Sequence, residues 1–221
     1  MEKFLDQSLQ DQLVKIFGDL NHTVKLIFFS TKDDCEYCDQ IEGLLSEVTA
    51  LSDKLSFVTY DIDENTELTQ KYGVDQAPVF IIAGNDQNKE VDYGIRFYGM
   101  PGGHEFTSLV HDLMLVSGQD SGLAPETRTF LKNLKEPVHL QVFVTPTCPY
   151  CPSAVVLAHQ MAIESDKITA DMVEAMEFPE LASRFNVSGV PQTTINMGAG
   201  TVIGGVPEST LVEQIKEALA I

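Results

Sequence analysis

The chain has 221 residues, 43% of them hydrophobic and 21% charged, which is the composition of a globular protein with enough apolar material for one large core or two of about 100 to 120 residues. A formal net charge of -19 disfavours nucleic acid and anionic membrane surfaces as partners, since both select basic patches. The start carries acids where a secretory leader has a basic segment, and no apolar run approaches the roughly 18 to 20 residues that span a bilayer, so a cytoplasmic protein with no membrane partner is expected.

In chain order, residues 4–17 place Leu5, Leu9, Leu13, Ile16 and Phe17 on one helical face. An apolar strand, residues 24–29 (VKLIFF), leads to Cys35 and Cys38 in DCEYCDQI, and a helical pattern with Ile41, Leu44, Leu45 and Val48 follows. Residues 55–62 read as a second strand, after which Asp63 and Glu64 open a short helix ending near Tyr72 and Gly73. Pro78 begins the strand PVFIIA, residues 84–90 read as a turn, and a further strand ends at Phe97 and Tyr98. Gly99 to Gly103 break the pattern before a helix over about 104–116.

Residues 117–125, SGQDSGLAP, have turn composition and little to bury, so a domain boundary is placed there: one unit over 1–118, a linker over 119–124 and a second unit over 125–221. The order of elements then starts again. A helix with Phe130, Leu131 and Leu134 precedes the strand VHLQVFV and the motif TPTCPYCP, with Cys148 and Cys151 at its centre. A strand over 168–176, a short helix over 179–185, Pro191, two strands and a helix over 208–219 complete the chain.

The register of the repeat follows by subtraction. Pro78 lies 43 residues after Cys35, and Pro191 lies 43 after Cys148. ELTQKYGVDQAP (67–78) aligns without gaps on ELASRFNVSGVP (180–191), so the chain is an internal duplication of a βαβαββα unit. Both copies retain two thiols and a proline, which points to two working sites.

Two thiols at i and i+3 at the start of a helix can close a small disulfide reversibly. Unpaired backbone N–H groups and the helix dipole stabilise a thiolate on the N-terminal sulfur, making Cys148 the natural nucleophile and Cys151, one turn further in, the resolving thiol. A paired-thiol motif in a reducing compartment is redox-active or metal-binding. The metal-binding reading, a four-cysteine zinc module of structural or interaction type, usually spaces its pairs by about 15 to 20 residues; here 109 residues lie between Cys38 and Cys148.

A strand, a CxxC at a helix start and a proline some 40 residues on together resemble the thioredoxin fold, and CPYC resembles the glutaredoxin motif. The tandem arrangement is similar to that of the protein disulfide oxidoreductases, two-unit glutaredoxin-like proteins of archaea and some bacteria. The resemblance implies an α/β protein with two thioredoxin-fold units in tandem sharing one continuous central mixed sheet. It implies a thiol-disulfide oxidoreductase that reduces, oxidises or isomerises protein disulfides. Cys35 and Cys148 would attack, Cys38 and Cys151 would resolve, each pair closing its own disulfide. Pro78 and Pro191 would be cis, and Ala77 and Val190 before them would touch the substrate backbone, as in strand addition. An alternative within the fold is an electron carrier to a peroxidase, like the tandem module of some peroxiredoxin reductases, in which only one unit keeps its cysteines.

The strands before the motifs lack the buried acid that thioredoxins place there. Glu174, near the end of a strand of the second unit, is a candidate proton acceptor but reads more simply as a solvated carboxylate. Tyr37 and Tyr150 hold matched positions and are expected to shield the disulfides and contact substrate. The five histidines show no spacing that suggests a site and read as surface or strand-end residues. No dinucleotide fingerprint or phosphate loop is present, so no cofactor is expected and electrons would come from a thioredoxin-reductase-like donor or glutathione.

The two motifs differ in charge. Asp33, Asp34, Glu36 and Asp39 crowd the first, while TPTCPYCP has none, and residues 1–120 hold 22 acidic and 8 basic residues against 11 and 6 in the remainder. One carboxylate about 7 Å from a thiolate costs on the order of 0.5 to 1 kcal/mol before salt screening. Cys35 is therefore expected to have the higher thiol pKa and the first couple to be the more reducing.

Overall fold

The computed structural model describes residues 3–33, 35–87 and 89–220. Helix α1 (Gln7–Phe17) starts at Asp6, whose carboxylate accepts the Leu9 N–H at 2.8 Å, and turns Leu13 and Phe17 into the core. The first unit continues as β1 (Val24–Ser30), α2 (Cys38–Thr49), β2 (Leu55–Asp61), α3 (Thr66–Tyr72), β3 (Val79–Asp86), β4 (Lys89–Tyr98) and α4 (Glu105–Gly118). The second runs α5 (Pro125–Lys132), β5 (Val138–Val144), α6 (Cys151–Glu164), β6 (Ile168–Glu174), α7 (Pro179–Arg184), β7 (Gln192–Ile195), a 3-10 turn at Asn196–Gly198, β8 (Gly200–Ile203) and α8 (Glu208–Ala218).

All eight strands form one mixed sheet in the order β2-β1-β3-β4-β6-β5-β7-β8. Each unit contributes four strands in the same relative order, and the units join where β4 runs parallel to β6, with Ile95 opposite Ala170 and Tyr98 opposite Val173. Strands β1, β2, β4, β5 and β6 all point the same way. Both motifs, which follow β1 and β5, therefore emerge at one edge of the sheet.

Central strands covered on both faces read as continuous apolar runs, and β1 and β5 are buried almost throughout. One face carries α1, α2, α4, α5, α6 and α8 over a core that includes Phe28, Phe80, Phe97, Leu113 and Met161. The opposite face carries α3 and α7 over a smaller cluster with Phe29, Tyr72, Tyr98 and Phe178. Because one core spans both units, the sheet and its helices make a single packed body.

Three expectations change. The predicted turn over 84–90 is narrower, since β3 continues to Asp86 and β4 resumes at Lys89; Asn88 lies outside the described residues. The helices after the motifs begin at Cys38 and Cys151, so the resolving cysteines are the first helical residues and not a turn further in. The segment 117–125 buries more than its composition suggests. Ser117 Oγ accepts the Asn21 and His22 N–H groups at 2.8 and 2.9 Å and donates to the His22 carbonyl, Ser121 donates to Glu164, and Leu123 is buried. Hydroxyl groups replace the missing apolar surface as anchors.

Candidate functional site

Each motif closes its own disulfide, Cys35 with Cys38 and Cys148 with Cys151, with a Cα separation of 5.5 Å in both. Tyr37 and Tyr150 stand at the N-caps of α2 and α6 without capping through their side chains, so the first-turn N–H groups remain available to the sulfurs. The first disulfide is the more open: Cys35 is half-buried, Cys148 is 7% exposed and Cys151 is fully buried.

The Ala77-Pro78 and Val190-Pro191 bonds are cis. Phe29 pairs with Val79 and Phe143 with Gln192, which sets each cis-proline beside the end of the strand that carries its cysteines. The sequence placed cysteine pair and proline together in each unit, and the fold brings them together. Tyr37 packs on the core, whereas Tyr150 is 72% exposed.

Strands β1 and β5 are four positions apart in the sheet, so the two motifs are separated by roughly 19 Å. No single zinc ion with thiolates at about 2.3 Å can take ligands from both pairs. Geometry thus removes the four-cysteine module. Among the described residues no group of three or more His, Cys, Asp or Glu side chains is arranged to hold a metal ion.

Buried carboxylates, missing from the strands before the motifs, arrive across the seam between the units. Glu105, in the first turn of α4, is 1% exposed, accepts the Ser108 hydroxyl at 2.6 Å, and is pushed by burial up to a pKa of about 7. Its helix packs beside α6, with Asp112 Oδ2 2.5 Å from His159 Nδ1. The two helices run in parallel, so seven residues back from that pair Glu105 is level with the Cys151 and Pro152 turn. The start of α4 is also tied to the second motif's loop, His104 N–H donating to the Pro146 carbonyl at 3.0 Å. His159 is fully buried, which corrects its reading as a surface residue; α4 supplies the carboxylate that makes its burial tolerable.

Toward the first motif lie Glu177, in the turn after β6, and Glu174, at the end of β6, which is also paired with Val144 at the end of the second motif's strand. Glu174 is 3% exposed and not solvated as expected; it accepts the Met176 and Glu177 N–H groups at 2.9 and 2.6 Å, and burial holds its pKa above the usual carboxylate range. Glu177 accepts the Met100 N–H at 2.8 Å, and burial, with Glu174 and Glu36 nearby, pushes it up to about 7. The charges of Glu36, Glu177 and Glu174 all reach the Tyr37 hydroxyl and raise its pKa, which places this acid pair close to the CEYC loop. Asp33, Glu36 and Asp39 are exposed, and Asp34 lies outside the described residues. Glu105 and Glu177 carry no signal in one sequence, since each lies toward the motif in the other half of the chain; Glu174 is a candidate there, but as a solvated group.

Residues 6–97 match the thioredoxin family model and residues 138–218 match the thioredoxin domain model. Among known proteins, the chain is 29% identical over 192 residues to the alkyl hydroperoxide reductase AhpF of Escherichia coli K12, covering 87% of this chain and 34% of that protein. The chain thus spans about a third of the length of the curated relatives it matches. Among solved structures it superposes on the NTD_N/C domain of alkylhydroperoxide reductase AhpF from Enterococcus faecalis with a TM-score of 0.87 and 26% identity, covering 96% of this chain and 100% of that one. A protein disulfide oxidoreductase from Aeropyrum pernix K1 gives a TM-score of 0.87 at 28% identity, covering 97% and 94%. With a cysteine pair, a cis-proline and a family match in each half, the chain is built of two thioredoxin domains in tandem.

Proposed function

We propose that this protein is a thiol-disulfide oxidoreductase acting on protein disulfides through two sites, Cys35/Cys38 and Cys148/Cys151. The observation that carries the reading is the placement of each disulfide at a helix start beside a cis-proline, at one edge of a single sheet. The units are taken as residues 1–118 and 125–221, joined by 119–124, and the location as cytoplasmic.

In the dithiol form the Cys148 thiolate attacks one sulfur of a client disulfide, and the other client sulfur leaves as a thiolate that takes a proton. Cys151, giving up its proton, then attacks Cys148 Sγ and expels the second client thiolate. Two electrons pass to the client, its two thiolates take up the proton released by Cys151 and one from solvent, and the Cys148–Cys151 disulfide forms. Glu105, raised by burial to a pKa of about 7 on the helix beside α6, is the acceptor proposed for that proton. Cys35 and Cys38 run the same sequence at the first site, and Ala77, Val190, Tyr37 and Tyr150 contact the client. A thioredoxin-reductase-like protein or glutathione returns the electrons, and direction follows the potential of the compartment.

A second reading, an electron carrier to a peroxidase, is favoured by the similarity to the alkyl hydroperoxide reductase AhpF. A glutathione redox titration with trapped thiols mapped to each motif tests the main reading, with two reversible intramolecular disulfides expected. Cysteines that resist reduction and reoxidation would overturn it. Turnover of several unrelated disulfide proteins supports the general oxidoreductase; turnover confined to one peroxidase establishes the carrier.

A further inference from the structure

The two redox sites are alike in sequence but not in surroundings, because the sheet places them differently. Beyond β7, which follows the second cis-proline, stands only the edge strand β8. Beyond β3, which follows the first, stand β4 and then the whole second unit. The first cis-proline loop consequently faces protein across the seam.

Between them lies a cavity of about 760 Å³. Gln76 and Ala77, the residues leading into Pro78, form one side, and Glu177, Phe178, Leu181 and Arg184 of the second unit form the other. Phe178 is fixed edge-on against Tyr98, ring centroids 5.7 Å apart, giving this wall a rigid apolar base. Above it Glu177 is held by the Met100 N–H through Oε1, while its Oε2 is buried with no hydrogen-bond partner among the described residues. Gly99, at φ +94°, leaves room for that carboxylate: a Cβ there would come within 2.9 Å of Glu177 Oε2.

Charged groups facing this carboxylate come from three elements. Glu174 at the end of β6 and Glu36 before α2 are acidic, Glu180 on α7 lines the same cavity, and Arg184, one turn further along α7, is the only cation lining it among the described residues. Glu36 and Glu180, joined by Glu177 as it ionises around pH 7, outweigh the one guanidinium and leave this end anionic at and above neutral pH. A Lys or Arg side chain fits it, with its methylene stem along Phe178 and Leu181 and its charge between Glu177 and Glu180 at the cavity wall.

We propose that the second unit completes the first redox site as a specificity wall, Glu177 selecting client segments that carry Lys or Arg near the cysteine being exchanged at Cys35. The proposal rests on the oxidoreductase reading and adds to it a substrate class for one of the two sites. Cys148 and Cys151, at a groove without a facing unit, do not share the preference. The chain then carries one selective and one unselective site.

The test uses the full-length chain in two single-site forms, one with Cys148→Ser and Cys151→Ser, the other with Cys35→Ser and Cys38→Ser. The probes are short peptides closed by one disulfide and identical except for Lys, Gln or Glu two positions from a cysteine. For the first-site form the exchange rate with the Lys peptide should exceed that with the Glu peptide by roughly tenfold, the difference shrinking at high salt. For the second-site form, which has the same net charge, the ratio should stay near one. Adding Glu177→Gln to the first-site form should bring the Lys/Glu ratio, each rate normalised to the Gln peptide, close to that of the second-site form, and Glu177→Lys should invert it. Equal rates in the first-site form, the same ratio in both forms, or a ratio that survives Glu177→Gln would overturn the proposal. If both glutamate variants unfold, adding Asp33→Asn and Asp39→Asn to the first-site form decides it: a Lys/Glu ratio that persists without these exposed motif acids supports the wall, and one that falls to that of the second-site form overturns it. No exchange with any peptide at either site would instead remove the oxidoreductase reading beneath it.

Discussion

His159 Nδ1 lies 2.5 Å from Asp112 Oδ2, an ion-pair geometry between α6 of the second unit and α4 of the first in which both side chains are fully buried. The other ring nitrogen and one oxygen of nearby Glu105 have no hydrogen-bond partner among the described residues, and the other Asp112 oxygen has only the His111 ring nitrogen 3.6 Å away. The Phe97 ring packs against the imidazole at 5.2 Å between centroids. A polar group is thus held in the apolar layer that joins the two domains.

Breaking that pair should strand its survivor. Asp112→Ala is expected to cost about 3 to 5 kcal/mol of unfolding free energy, because an uncompensated polar ring stays buried. The double variant Asp112→Leu with His159→Leu should recover most of the loss, since neither member of the pair is then left desolvated without the other. Urea unfolding of the three proteins checks this. A double variant as unstable as the single one would mean that the pair contributes through its own attraction.

Glu105 ties the protein's stability to its chemistry. Its folded pKa, raised to about 7, lies above the ordinary carboxylate value of 4.5. The folded state therefore holds a proton that the unfolded state gives up as pH rises from 4.5 to 7, and stability falls across that window by an amount on the order of 3 kcal/mol. Glu105→Gln should flatten this dependence and leave a variant more stable than the parent above pH 7. If the same carboxylate accepts the Cys151 proton, release of the mixed disulfide at Cys148 should slow on the order of 10²-fold in this variant and lose its pH dependence near 7. Stopped-flow exchange with a model disulfide checks the second half. A slower rate with an unchanged pH profile would leave Glu105 a structural residue only.

The duplication, the tandem domains, both cysteine pairs and both prolines were legible because each is written locally and repeated at a fixed offset. The charged groups behind the sites were not. Glu105 lies 46 residues before Cys151 and Glu177 lies 142 after Cys35, on elements that meet them only through the β4 to β6 join. One sequence does not announce that join, so Glu174 read as solvated and His159 as peripheral. The polar segment 117–125 misled for a related reason: its serines are anchored by partners distant in the chain, to which composition is blind.

Gly99 is one of the places where the second unit packs tightly on the first. At φ +94°, an alanine there would be strained, and its Cβ would come within 2.9 Å of Glu174 Cβ and Glu177 Oε2. Gly99→Ala should lower stability by about 1 to 3 kcal/mol and displace the carboxylate from the Met100 N–H. Thermal unfolding gives the first effect. Crystallography of the variant gives the second, and an unmoved Glu177 in a fully stable variant would refute both.

The two cysteine pairs should titrate differently. The described acids of the first motif, Asp33, Glu36 and Asp39, are exposed, so their field at Cys35 is screened by salt. Glu177, raised by burial to about 7 like Glu105, adds to that field from the seam side as it ionises, less screened than the exposed acids. The second motif carries no charge of its own, and Glu105 beside it is only half-ionised near pH 7. Cys35 is therefore expected to show the higher thiol pKa, by a margin that narrows but persists as salt is raised. Alkylation rate against pH for each single-site form, at low and high ionic strength, measures both. Disappearance of the margin at high salt would assign it to the exposed acids alone, and equal midpoints throughout would show that burial of Cys148, which also raises a thiol pKa, offsets the carboxylates around Cys35.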